Sequence, residues 1–97
     1  MFMNWTDLLG TLKRSYNRLG STNPKVLEAY RSLSAAPGSN GALDAKTREL
    51  IAMAVAVTTR CDGCISSHAA AAIKAGASEA EMSDALGVAI ALNAGAA

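Results

Sequence analysis

From Leu43 to the end of the chain the apolar side chains are almost wholly Ala, Val, Ile, Leu and Met, while all four aromatic residues, Phe2, Trp5, Tyr16 and Tyr30, stand in the first third. Alanine has the highest helix propensity, and small side chains let helix axes approach closely, so the second half reads as tightly packed helices. No alternation of apolar and polar residues competes for strands. The expected fold class is all-α, a compact bundle of about five helices.

The first helix is drawn by Trp5, Leu8, Leu9, Leu12, Tyr16 and Leu19 at three- and four-residue spacing, with Gly20 as its stop. Asn23 is placed to cap a second helix with Pro24 at its first position, and Val26, Leu27, Tyr30 and Leu33 form its stripe. Pro37-Gly38-Ser39-Asn40-Gly41 then breaks the chain, too briefly to separate domains. A third helix opens near Asp44 and carries the apolar run Leu50 to Val57, which has no polar face and predicts burial on all sides. Thr58-Thr59-Arg60 marks a bend, Cys61 to Ala75 a fourth helix ended by Gly76, and Ser78 with Glu81 a capping box. The fifth helix that follows carries Met82, Leu86, Val88, Ala89 and Ile90.

With 97 residues, the expectation is one domain spanning 1–97. A chain this short buries only about 60% of the surface that its unfolded form exposes, so its core needs a metal, a disulfide or a partner subunit, and a homo-oligomer is expected. The last thirteen residues, ALGVAIALNAGAA, carry no charge, which points to cover by a neighbour or to a chain that continues.

Nine Lys+Arg against eight Asp+Glu, with no basic cluster, supply none of the positive field that nucleic acid or an acidic membrane surface requires. The N-terminal MFMNWTDLLGTLKRSY lacks the pattern of a secretory signal, and no run of about 18 apolar residues occurs. The expected location is cytoplasmic, and in that reducing compartment two cysteines separated by two residues point to redox chemistry or metal.

Cys61, Cys64 and His68 stand at positions i, i+3 and i+7, within about a 60° arc of one helix face. A helix start favours thiolate, because unpaired N–H groups and the macrodipole stabilise negative charge there. His68, one turn after Cys64, is suited to exchange a proton with its sulfur. If the bend centres near Thr59, an antiparallel hairpin folds position 49 back opposite position 69 and brings the Glu49 carboxylate to the ring.

Glu49, followed by Cys61-Asp62-Gly63-Cys64 and His68 within RELIAMAVAVTTRCDGCISSHAAAAIKAGAS, resembles the core motif of the alkyl hydroperoxidase D-like proteins of the carboxymuconolactone decarboxylase superfamily. The likeness runs from about Leu43 to Ala91. It implies an all-α oligomer, a trimer or in short members a hexamer, that reduces organic hydroperoxides through a dithiol–disulfide cycle with no bound cofactor or metal. Carried over by position, Cys64 is the peroxidatic cysteine, Cys61 the resolving one, and Glu49 with His68 a proton relay. A lipoyl-type or other dithiol would reduce the Cys61–Cys64 disulfide. Two features depart from the family pattern: Gly63 stands where well-studied members have a second histidine, and the polar helix that usually follows the region ending near Ala97 is missing.

Other readings use the same residues. Two thiols and an imidazole offer three zinc ligands, with Glu49 or another subunit as the fourth. A non-catalytic redox-sensing module or a decarboxylase-like lactone enzyme also fits the superfamily, although members of the latter kind typically lack the cysteine pair. Glu49 alone reads as a first-turn acid or a partner of Lys46 or Arg48. Arg60 and Asp62 flank Cys61 and are expected to act on the thiols in opposite electrostatic senses. Met53 and Met82 read as core filler, Trp5 and Tyr16 as anchors of the first helix, and Ser66 and Ser67 as polar surface or local backbone contacts.

Overall fold

The computed structural model describes residues 4–96; Phe2 and Ala97 lie outside the described residues. Five helices account for the architecture, with no strand among the described residues. The chain divides into two units, one ending at Leu43 and the other beginning at Asp44.

The first unit pairs α1 (Trp5–Thr22) with α2 (Pro24–Ser39). Asn4 caps α1 by accepting the Asp7 backbone N–H at 3.0 Å. Gly20 does not end this helix, which continues to Thr22. A Cβ at Gly20 would lie 2.8 Å from Cδ2 of Leu27, the buried residue of α2, so the glycine marks where the second helix closes on the first. Asn23 occupies the N-cap position of α2, but its side chain makes no capping bond; its N–H donates to Leu19 O at 2.7 Å, and Pro24 sets the helix start. Pro37 does not break α2 either. It sits in the last turns, where its missing N–H removes one bond, and the helix closes with Ser39 Oγ donating to Ala36 O at 2.7 Å. The chain turns at Gly41, whose φ of 73° favours glycine. Tyr16 stacks on Tyr30 with ring centroids 6.0 Å apart, whereas Trp5 is exposed.

The second unit holds α3 (Ala45–Thr58), α4 (Asp62–Lys74) and α5 (Glu79–Ala96), with α3 packed against both of the others. Asp44 caps α3 by accepting the Thr47 N–H at 2.8 Å. The capping box is reciprocal: Glu81 N–H donates to Ser78 Oγ at 3.0 Å and Ser78 N–H to Glu81 Oε1 at 2.9 Å. The other carboxylate oxygen of Glu81 meets Lys46 Nζ at 2.7 Å and ties α5 to the first turn of α3.

Burial within this unit goes to small side chains. Ala56 is 2% exposed and its neighbour Val55 is 53%; Ala72 is 0% exposed and Ile73 is 65%. Ala89 is buried between exposed Val88 and Ile90. Alanine at the contact lets the helices close to short interaxial distance and turns the bulkier residues outward. The Leu50–Val57 run is therefore not buried on all sides: Met53 and Ala56 are, while Ile51 and Val55 stand half exposed.

Candidate active site

The ends of α3 and α4 share one design. At the end of α4, Gly76 N–H bonds to Ile73 O and Ala77 N–H to Ala72 O, both at 3.0 Å, which is the Schellman pattern with glycine in the left-handed region at φ 91°. At the end of α3, Arg60 N–H bonds to Val57 O at 3.4 Å and Cys61 N–H to Ala56 O at 3.1 Å. Here the left-handed residue is Arg60, at φ 56°. A non-glycine residue in this region is strained, at a cost of roughly 1–2 kcal/mol for helix-like left-handed backbone.

The consequence falls on Cys61, which closes α3 and opens α4. Its Sγ, at the N-cap position, accepts the Cys64 N–H at 3.1 Å. Cys61 and Cys64 are joined by a disulfide, with Cα atoms 5.1 Å apart and both side chains half-buried. The sulfur pair thus sits where the free N–H groups of α4 converge.

One turn beyond Cys64, His68 is half-buried and its Nδ1 lies 2.6 Å from Glu49 Oε2. This contact crosses from α4 to α3. With Glu49 ionised, Nδ1 carries the proton and donates, which leaves Nε2 as the nitrogen able to take or release one. The hairpin therefore brings Glu49 to His68, as its antiparallel register predicts, and the start of α4 holds the Cys61–Cys64 pair. Lys46 pairs with Glu81, not with Glu49.

Three residues close to the cysteines in sequence differ from expectation or carry charge. Ser66 is 5% exposed, so it is not polar surface; position 66 falls on the inner face of α4 with Ala72. A buried serine on an apolar face is not legible from residue type alone. Arg60 and Asp62 flank Cys61 in the sequence and are both exposed. Among the described residues, no group of three or more His, Cys, Asp and Glu side chains converges to hold a metal ion.

Comparison with known proteins places this helical framework. Residues 24–97 match the carboxymuconolactone decarboxylase family, a match that begins before Leu43 and takes in α2. The chain belongs to the carboxymuconolactone decarboxylase family. A solved member of the family, the apo form of a protein from Legionella pneumophila, superposes with a TM-score of 0.86 at 33% identity, over 91% of this chain and 79% of that one. An uncharacterized protein of Haemophilus influenzae is 60% identical over 69 residues, 71% of this chain; the chain spans 61% of that relative. A protein encoded in the cox locus of Paracoccus denitrificans, also uncharacterized, is 41% identical over 82 residues, 81% of this chain and 74% of its own length. This carboxymuconolactone decarboxylase family chain thus has the all-α fold expected of it, with a CxxC pair at the head of α4.

Proposed function

We propose that the protein is a dithiol-dependent peroxidase that reduces organic hydroperoxides through the Cys61–Cys64 pair. The observation that carries this reading is the 2.6 Å contact between His68 Nδ1 and Glu49, which orients an imidazole one helical turn along α4 from the Cys61–Cys64 pair.

In the reduced protein, Nε2 of His68 takes the Cys64 thiol proton, directly or through one water. The Cys64 thiolate attacks the distal oxygen of the hydroperoxide, the O–O bond breaks, and the leaving alkoxide takes the proton from His68 to become an alcohol. Glu49 holds the ring and stabilises the imidazolium between these transfers. Cys61 then attacks the Cys64 sulfenic acid, forming the disulfide and releasing water. A dithiol reductant restores the pair: its first thiolate attacks the Cys64 sulfur and the electron pair of the S–S bond passes to Cys61 Sγ. Its second thiol then displaces Cys64 and leaves the reductant oxidised. The Cys64 N–H aimed at Cys61 Sγ supports this order, because it stabilises the thiolate that leaves.

The test is peroxide consumption by the pre-reduced protein in a single turnover, with thiols counted before and after. Two thiols are expected to disappear together per peroxide. Cys64→Ser should abolish consumption with helicity intact, whereas Cys61→Ser should consume one equivalent and leave a trappable sulfenic acid. An unchanged rate in Cys64→Ser overturns the assignment of that residue. Thiols that persist in the parent protein after peroxide overturn the activity.

A further inference from the structure

The chain has two tyrosines, and they meet across the first hairpin: Tyr16 on α1 and Tyr30 on α2. Their planes are 14° from parallel, with ring centroids 6.0 Å apart. Hydrogen bonding to Tyr30, followed by partial burial, pushes the Tyr16 phenol above its ordinary pKa. A hydrogen bond that raises a phenol in this way is one that its neutral O–H donates, so the hydroxyl ends of the two rings lie together. The ortho carbons flank the hydroxyls and stand at the same end of the pair.

Neither ring is enclosed. Tyr16 is 38% exposed and Tyr30 is 51%, whereas Leu27 is the buried residue of α2. A small oxidant in water therefore reaches both phenols, and side-chain rotation can close the rings without displacing Leu27. An exposed phenol readily yields a hydrogen atom to a one-electron oxidant, and the unpaired electron that remains spreads onto the ortho carbons. Packing alone accounts for a stacked pair. Paired hydroxyl ends on two solvent-facing rings add a chemistry that packing does not need.

We propose that Tyr16 and Tyr30 are an oxidative cross-linking site, at which two peroxyl radicals join the rings through one ortho carbon of each and tie α1 to α2. Each radical takes one hydrogen atom from a phenol O–H and leaves as a hydroperoxide. The two tyrosyl radicals then couple in a single C–C bond. The hydrogen on each joined carbon passes to the oxygen of its own ring, which restores both phenols. The hairpin loses two hydrogen atoms in all, and no other reagent enters. The pair belongs to the first unit, and the inference does not depend on the peroxidase reading of Cys61 and Cys64.

The experiment exposes the dilute 97-residue protein, in its disulfide form, to peroxyl radicals from a water-soluble azo initiator in air. Dityrosine fluorescence and intact mass are read together. The parent should gain the fluorescence while remaining a single 9.9 kDa chain lighter by two hydrogen atoms. Trypsin should then release peptide 15–18 joined to peptide 26–31. Tyr16→Phe and Tyr30→Phe, which keep the ring and remove the hydroxyl, should each lose this product. In urea the yield within one chain should fall at least about fivefold, because an unfolded chain must close the loop between the rings for each coupling. Dityrosine found solely at twice the chain mass, no dityrosine in the parent, or an equal yield in urea overturns the proposal.

Discussion

The two units solve helix packing with different side chains. In the first, a hairpin of α1 and α2 is held by buried Leu27 set against Gly20 and by the stacked Tyr16–Tyr30 pair. In the second, α3 meets its neighbours through Ala56, Ala72 and Ala89, with Met53 the one large buried apolar side chain among the described residues of that unit. A large residue fills the space between helices in one unit, and the lack of side-chain bulk removes that space in the other. The comparison teaches that apolar content does not locate a core. Val55, Ile73 and Ile90 are more hydrophobic than the alanines beside them and lie outside.

Leu27→Ala should give the largest effect. It removes the buried side chain of the first unit and should destabilise that hairpin by about 2–5 kcal/mol. Hydrogen exchange should show lost protection in α1 and α2 with that of α3 to α5 retained. Equal loss in both units would mean that they unfold as one and would break the division between them.

Ala72→Leu addresses the second unit by the opposite change. Added volume at a wholly buried position between close helices should cost about 1–3 kcal/mol in urea unfolding, and Ile73→Leu on the exposed side next to it should cost almost nothing. Similar losses at both positions would show that the alanine contacts are loose.

The smallest effect is electrostatic and confined to the second unit. The Lys46 ammonium, and then the backbone N–H and hydroxyl of Ser78, hold the Glu81 carboxyl down to about 2 from an ordinary 4.5. A depressed carboxylate contributes stability that is fully present above its unfolded value and is lost as pH falls through its folded value. The melting temperature should therefore decline between about pH 4.5 and 2 in the parent protein. Glu81→Gln should be less stable at neutral pH and show a shallower decline over that window. An identical decline in both would remove the Lys46–Glu81 link from the account.

Much of this architecture is legible because it depends on local chemistry. Asp44, Asn4 and the Ser78–Glu81 box mark helix starts through the side chain's own reach to nearby N–H groups. Gly76 marks a helix end because its backbone conformation is cheap for glycine. The signals that misled were those whose meaning depends on what lies across the gap. Gly20 reads as a stop but serves Leu27, and Pro37 reads as a break but falls where little hydrogen bonding remains to lose. Thr58-Thr59-Arg60 reads as a bend, but nothing in the residue type shows that Arg60 takes the left-handed position that ends α3.

For the candidate site, the order and spacing of Glu49, Cys61, Cys64 and His68 followed from the sequence alone, since a helical register of three and four residues and one bend fix which faces coincide. The family likeness followed from the same residues. The tertiary structure decided what spacing cannot express: the 2.6 Å closure of Glu49 on His68, the burial of Ser66, and the placement of alanine rather than valine or isoleucine at the helix contacts. Period alone says which residues share a face. Which face turns inward depends on the shape of the neighbouring helix, and close approach favours the smallest side chain over the most hydrophobic one.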